Sequence, residues 1–250
     1  MIRPDLIVLL CALGLARATM PVSAARRSVT DPLESSARGT FVLGPFVREW
    51  FYWFVGPVER GLLAVGISPL ALNLTGVAFG LLAGGLFAIG QLVLGGWAVL
   101  LGGVADVLDG RVARALGIAS RRGAFLDSTL DRFAEVGALA GLAFWARESP
   151  LVMTSVVLAL GGSLLVSYAR ARGESVGVVC KVGIMQRAER LLLLGFGGVL
   201  DPMVSAWWGR SAPGGLLAPI LGLVALGTVG TAVFRTVWIA RRLPFVDESP

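Results

Sequence analysis

Long apolar segments are the feature that most restricts how this chain can fold. They recur near residues 69–90, 93–116, 124–146, 150–172, 188–208 and 214–240. Each is long enough to cross a bilayer as a helix, which takes about 20 predominantly apolar residues. Charged residues make up only 15% of the chain, against about 25% in soluble domains. The sequence therefore predicts an all-α, polytopic membrane protein with six transmembrane helices.

A shorter amphipathic segment precedes the first span. From Phe46 onward, aromatic and aliphatic residues recur at helical spacing among charged ones, which predicts a helix lying in the membrane interface, kinked or interrupted at Gly56-Pro57. Residues 46–243 are then the membrane domain and residues 244–250 a C-terminal tail. Residues 1–45 are predicted to be a poorly ordered lead-in.

The lead-in contains a short apolar run at residues 5–17 that resembles the core of a signal peptide. Cleavage after it would leave residues 20–60 outside and invert every later span. We therefore expect this run to be retained, to lie at the membrane periphery, or to result from a start site assigned too early.

Charge and glycine patterns orient the predicted spans. The connections near 111–122 and 173–190 are rich in arginine, whereas those on the opposite side are nearly uncharged. By the positive-inside rule the basic side and both termini are cytoplasmic, in an inner (cytoplasmic) membrane. Small residues repeat every four positions in two spans and predict close helix approach, although a glycine-rich chain also produces such repeats by chance. These are Gly76, Gly80 and Gly84 in the first span and Gly137 and Gly141 in the third.

Composition excludes several kinds of site. The chain has no histidine, so a Ser-His-Asp triad and histidine-ligated zinc or haem are excluded. Cys11 and Cys180 are too far apart in sequence to form a Cys-x-x-Cys pair. Any metal would need oxygen ligands, which favours Mg²⁺ or Mn²⁺. The net charge of +6 comes from arginines beside apolar runs, which favours lipid headgroups or phosphorylated substrates over nucleic acid.

Four aspartates are spaced to converge near one membrane surface. Asp106 and Asp109 share a helix face with Ala113, and Asp127 and Asp131 lie four residues apart on the next helix. Four clustered carboxylates are costly unless cations compensate them, and two divalent cations so held can bind a diphosphate. Gly110 would let a ligand approach the backbone. The alternative is that these carboxylates are solvated or paired with nearby arginines.

The same run resembles the signature of the CDP-alcohol phosphatidyltransferase family, Asp-x-x-Asp-Gly-x-x-Ala-Arg, eight residues, Gly-x-x-x-Asp-x-x-x-Asp. All eight fixed positions match: Asp106, Asp109, Gly110, Ala113, Arg114, Gly123, Asp127 and Asp131. The resemblance covers about residues 46–243. It implies transfer of a phosphatidyl group from CDP-diacylglycerol or a related CDP-lipid to a small alcohol, with release of CMP. It also implies a homodimer and two divalent cations, Mg²⁺ or Mn²⁺.

The resemblance further implies roles for the motif residues. Asp106, Asp109 and Asp127 would be metal ligands, and Asp131 would complete the metal site and act as general base on the acceptor hydroxyl. The nucleotide site would be lined by Asp106, Asp109, Gly110, Ala113, Arg114 and Gly123.

A cluster of four arginines bears on the identity of the acceptor. Arg170, Arg172, Arg187 and Arg190 fall where the fourth and fifth spans meet the cytoplasm, a pattern suited to a phosphate dianion or to an ordinary positive-inside loop. The pattern looks like the subgroup that uses inositol phosphate, where residues matching Arg170, Arg187 and Arg235 would bind the acceptor phosphate. Glycerol 3-phosphate or another alcohol is the alternative acceptor.

Two other classes of function compete with this interpretation. An ion transporter would place its carboxylates near mid-span, whereas these lie near span ends beside a basic loop. A non-catalytic membrane scaffold would not need to keep all four aspartates. Neither class is favoured by the sequence.

Overall fold

The computed structural model describes residues 44–180, 182–209 and 213–244, in which all regular secondary structure is helical. The predicted lead-in up to residue 43 and the tail from residue 245 lie outside the described residues. The helices are α1 (Gly44–Val65), α2 (Pro69–Ala88), α3 (Leu92–Ala115), α4 (Arg121–Trp145), α5 (Pro150–Ser175), α6 (Arg187–Trp207) and α7 (Leu217–Ala240). A short 3₁₀ turn, Ala146–Glu148, links α4 to α5.

Helices α2 to α7 begin and end within three residues of the six predicted segments. Four helices in the described part of the chain, α2, α3, α5 and α7, are long and apolar enough to cross a membrane. Helices α4 and α6, of 25 and 21 residues, are also long enough but carry several charged side chains. The start of α2 follows the sequence closely, because Ser68 caps it by accepting the Ala71 N–H and Pro69 occupies its first turn.

Helix α1 runs unbroken through Pro57, so the interruption expected at Gly56-Pro57 is not found. Its inner side is anchored by Val55, which is buried in a small apolar cluster with Leu72, Leu108 and Val112. Phe54 and Val58 are exposed on its other side. Helix α1 is thus an amphipathic helix packed against the end of α3.

Glycines bring α2 and α4 into direct backbone contact. A Cβ at Gly84 would overlap the Gly137 carbonyl, and a Cβ at Gly141 would overlap the Gly84 backbone. A Cβ at Gly80 would lie 2.6 Å from the Cα of Ala134. The predicted close approach of these two glycine-bearing helices is therefore confirmed. Because α2 also packs along α3, this close approach brings the aspartate-bearing ends of α3 and α4 together.

The remaining helices complete the bundle. Helix α3 packs against α6, and α5 packs against α7. At the end of α6 farthest from Arg187, Asp201 is fully buried and accepts the backbone N–H groups of Gly214, Leu216 and Leu217. Asp201 thereby satisfies the otherwise unpaired first turn of α7.

Candidate active site

Local capping interactions end α3 and begin α4 on the two sides of the turn that joins them. Gly117 has a positive φ of 68°, and its N–H donates to Arg114 O while Ile118 N–H donates to Ala113 O, a Schellman motif. Ser120 then caps α4 by accepting the Gly123 N–H at 3.1 Å. This short connection places the last turns of α3 beside the first turns of α4.

Three carboxylates meet across that turn. Oxygens of Asp106, Asp109 and Asp127 all lie within 4.8 Å of one another, close enough to hold one metal ion. Asp109 is 5% exposed, and its Oδ2 is buried with no hydrogen-bond partner among the described residues. A buried, unpartnered carboxylate oxygen next to two further carboxylates is strongly disfavoured unless a cation compensates it.

The donor set fits Mg²⁺ or Mn²⁺. It consists of carboxylate oxygens from two helices, which are the ligands that these hard cations prefer. The three aspartates would hold the first ion. Asp131, although predicted as a ligand, is not one of this group, and its ion pairs are with Arg187 and Arg132.

Asp131 lies one turn further along α4 and pairs with Arg187. The Nη2 of Arg187 lies 2.7 Å from Asp131 Oδ1, and its Nη1 contacts Asp106 Oδ2. Arg132 adds a weaker contact, with Nη1 at 3.8 Å from Asp131 Oδ2. Arg187 therefore joins the start of α6 to both acidic helices, and it brings a predicted acceptor-binding residue to the predicted base.

The remaining motif residues border the carboxylates on the exposed side. A Cβ at Gly110 would lie 3.2 Å from Arg114 Nη1, so the absence of a side chain there makes room for that guanidinium. Arg114 and Gly123 are exposed and Ala113 is half-buried. All four lie within two turns of Asp109 or Asp127. Together they form an exposed rim of the carboxylate cluster, where a nucleotide could lie.

The other predicted acceptor-binding arginines have different surroundings. Arg170 is half-exposed and pairs with Glu174 at 2.9 Å on the same helix. Arg235 is buried and donates to the carbonyls of Val166 and Val182. Arg190 is 1% exposed and binds Glu135 and the Met185 carbonyl. Arg190 therefore does not face the open part of the site, because its guanidinium is engaged inside the bundle.

Several site residues were not predicted from the sequence. Asn73 Nδ2 donates to Asp127 Oδ1 at 3.4 Å, and Arg111 pairs with Glu59 at 2.6 Å while lying over the Tyr52 ring. The partners in these two pairs are 54 and 52 positions apart, respectively, so no local spacing reveals them. Glu135 could have been found, because it continues the four-residue repeat of Asp127 and Asp131.

Comparison with known proteins identifies the family. Residues 62–208 match the CDP-alcohol phosphatidyltransferase family model. This chain belongs to that family. The phosphatidylinositol phosphate synthase of Streptomyces avermitilis is 33% identical over 241 residues, covering 92% of this chain and 93% of that protein. The family resemblance drawn from the motif is thereby confirmed, and the protein is a phosphatidyltransferase.

Solved structures of this family match the fold. The crystal structure of Mycobacterium tuberculosis phosphatidylinositol phosphate synthase with CDP-DAG bound has a TM-score of 0.67 and 29% identity, covering 78% of this chain and 97% of that one. The same enzyme in complex with manganese and citrate gives a TM-score of 0.66 and 30% identity, covering 78% of this chain and 92% of that one. A divalent cation in a related phosphatidyltransferase accords with the three-aspartate cluster seen here.

Proposed function

We propose that this enzyme transfers the phosphatidyl group of CDP-diacylglycerol, or a related CDP-lipid, to a hydroxyl of inositol phosphate, releasing CMP. The observation that carries this proposal is the pairing of Arg187 with Asp131 beside the three-aspartate cluster. In this pair, a guanidinium group suited to bind an acceptor phosphate lies next to a carboxylate suited to deprotonate an acceptor hydroxyl. The names of the relatives support the same reaction.

The donor would bind along the exposed rim of the carboxylate cluster. Asp106, Asp109 and Asp127 would hold divalent cation, Mg²⁺ or Mn²⁺, which when bound neutralises charge on the diphosphate and on the leaving CMP. Asp131 would complete the metal site as a ligand of a second cation. Gly110, Ala113, Arg114 and Gly123 would line the nucleotide, with the Arg114 guanidinium facing it.

The transfer step then needs one base. Asp131 takes the proton of the acceptor hydroxyl as that oxygen bonds to the phosphorus carrying the diacylglycerol. The bond from this phosphorus to the bridging oxygen breaks, and CMP leaves with that oxygen. Arg187 orients the acceptor through its phosphate, with half-exposed Arg170 as a further phosphate ligand. Arg235, to which the family resemblance gives the same role, is buried and donates to the Val166 and Val182 carbonyls, so it would act from behind the phosphate site. Arg190 would act behind them, through Arg187.

We also propose that α4 and α6 cross the membrane, giving six spans. Their charges do not require lipid contact: Glu135, Glu189, Arg190 and Asp201 are buried within the bundle, and Asp127 and Asp131 are half-buried at the site. Helix α1 would lie in the interface with Phe54 and Val58 toward the lipid. All site residues would then share the basic, cytoplasmic side of the inner membrane. The homodimer implied by the family stays a prediction, testable by measuring the mass of the detergent-solubilised protein.

The main alternative is the same reaction with glycerol 3-phosphate. Both acceptors present a hydroxyl and a phosphate, so the Arg187–Asp131 pair suits either one. Two features of the family resemblance favour inositol phosphate. Arg132 follows Asp131, and the stretch Leu126-Asp-Ser-Thr-Leu-Asp-Arg132 differs from the Leu-Asp-Pro-Leu-Ala-Asp-Lys stretch usual in relatives that use glycerol phosphate.

The test measures CMP release from CDP-diacylglycerol by the purified full-length chain with Mg²⁺ or Mn²⁺. Inositol phosphate, glycerol 3-phosphate, inositol and serine are supplied in parallel. We expect release with inositol phosphate only, slowed at least about 100-fold by Asp131→Asn. Release with glycerol 3-phosphate alone would establish the alternative acceptor, and release with none of the four would refute the proposal.

A further inference from the structure

A second ion pair lies directly beneath the Arg187–Asp131 contact. Arg190 Nε lies 2.6 Å from Glu135 Oε1 and its Nη2 lies 3.1 Å from Oε2. The two side chains are 2% and 3% exposed. Helices α4 and α6 both enter the bundle from the site end, so the two pairs form successive rungs between the same helices. Each rung advances by about one helical turn.

The lower rung also holds the segment that leads into α6. The Nη1 of Arg190 donates to Met185 O at 3.2 Å, and Met185 N–H donates to Thr231 Oγ1 at 3.1 Å. Arg235 Nε donates to Val182 O at 2.8 Å. The backbone just before Arg187 is therefore fixed by side chains from α6 itself and from α7, and Glu135 fixes the α6 contribution.

We propose that Glu135 is a positioning residue, which through Arg190 sets the start of α6 and so holds Arg187 against Asp131 for binding of the acceptor phosphate. This inference rests on the function proposed above. A buried ion pair is a weak source of stability compared with apolar packing of similar volume. Its two-pronged geometry, in contrast, fixes direction, which apolar side chains do not.

That difference allows the positioning role to be separated from stability. The double variant Glu135→Leu/Arg190→Met replaces the pair with apolar side chains and should remain folded. We expect the KM for inositol phosphate to rise by ~10- to 100-fold, because small displacements of a positioning group have effects of that size. The KM for CDP-diacylglycerol should change by less than about twofold, because the donor-side residues of α4, Gly123 and Asp127, lie about two helical turns or more from Glu135.

Hydrogen–deuterium exchange supplies a readout that does not depend on the substrate. Amides 185–190 should exchange faster in the double variant, while the core of α3 keeps its protection. Asp201→Asn is the matched control: it also disturbs a buried carboxylate of the same bundle, but at the far end of α6. It should lower thermal stability and leave both the acceptor KM and the exchange of amides 185–190 unchanged.

The outcomes separate the two claims. Faster exchange together with a selective rise in acceptor KM supports the positioning role, and unchanged exchange or an unchanged acceptor KM in the folded double variant overturns it. If the wild type releases no CMP with inositol phosphate, the proposed function fails, and exchange at 185–190 alone decides whether Glu135 fixes the start of α6. If the double variant does not fold, Glu135→Gln, which keeps the size and one acceptor oxygen, takes its place under the same criteria.

Discussion

Arg187 Nη2 and Asp131 Oδ1 lie 2.7 Å apart, at the meeting point of the two halves of the candidate site. One partner begins α6 and the other lies on α4, and the same guanidinium also reaches Asp106 on α3. A charge-assisted contact of this kind suits a site that must bring a phosphate and a hydroxyl group together. Through Asp106, the same arginine links the acceptor side of the site to the three-aspartate cluster.

Removing the Arg187 charge should weaken acceptor binding selectively. Losing a hydrogen bond to a charged group costs about 1.5–3 kcal/mol, so Arg187→Gln should raise the acceptor KM by roughly 10- to 100-fold. Steady-state CMP release at varied inositol phosphate measures this. Arg172→Gln is the control, because Arg172 is an exposed arginine near the same membrane surface whose partner is Ser175. Equal effects of the two substitutions would show that general positive charge, and not Arg187, attracts the acceptor.

Substitutions of Asp131 and Asp109 should distinguish the general base from a metal ligand. Asp131→Asn should lower kcat by about 10²- to 10⁴-fold, the range for loss of a general base, yet keep Mn²⁺ binding at the three-aspartate cluster. Asp109→Asn should abolish both activity and Mn²⁺ binding, since Asp109 is the most buried member of that cluster. Mn²⁺ titration followed by electron paramagnetic resonance distinguishes the two variants. Loss of all Mn²⁺ binding in Asp131→Asn would make Asp131 a ligand of the first ion.

Asn73 should influence the affinity of the metal site without binding the metal itself. Its amide donates to Asp127 Oδ1 and so orients a predicted metal ligand, and outer-sphere partners of this kind typically change metal affinity by about 10- to 100-fold. We expect Asn73→Ala to weaken Mn²⁺ binding by that amount in the same titration. Thr75→Val is the control, since the Thr75 hydroxyl donates to the Ala71 carbonyl of its own helix. An unchanged Mn²⁺ affinity in Asn73→Ala would remove Asn73 from the site.

The sequence was sufficient for those parts of the site that depend on local spacing. Asp106 and Asp109 are one turn apart on α3, Asp127 follows a turn marked by Gly117 and Ser120, and helical geometry alone brings them together. The six predicted segments were recovered as helices for the same reason, because apolar length and proline or serine starts are local signals.

The contacts between distant segments could not be predicted in this way. Arg187 and Arg190 look equivalent in sequence, yet one faces Asp131 and the other faces Glu135, because a three-residue step along α6 moves a side chain about one turn deeper into the bundle. Asn73 meets Asp127 only because glycines let α2 approach α4 so closely. The register of helices against each other is set by packing, and a single sequence does not display it.

The glycine contact between α2 and α4 gives a stability prediction with a neighbouring control. A Cβ at Gly84 would overlap the Gly137 carbonyl, whereas among the described residues no atom outside the local helix lies within 4 Å of a Cβ at Gly85. Gly84→Ala should therefore force the helices apart and destabilise the fold by about 1–3 kcal/mol, the usual cost of overpacking. Gly85→Ala should be neutral or stabilise it by about 0.5–1 kcal/mol, because alanine has the higher helix propensity.

Thermal unfolding of the detergent-solubilised protein, followed by tryptophan fluorescence, compares the two. Because α2 also carries Asn73, Gly84→Ala should weaken Mn²⁺ binding as well, and equal melting temperatures for the two variants would contradict the close packing of α2 on α4.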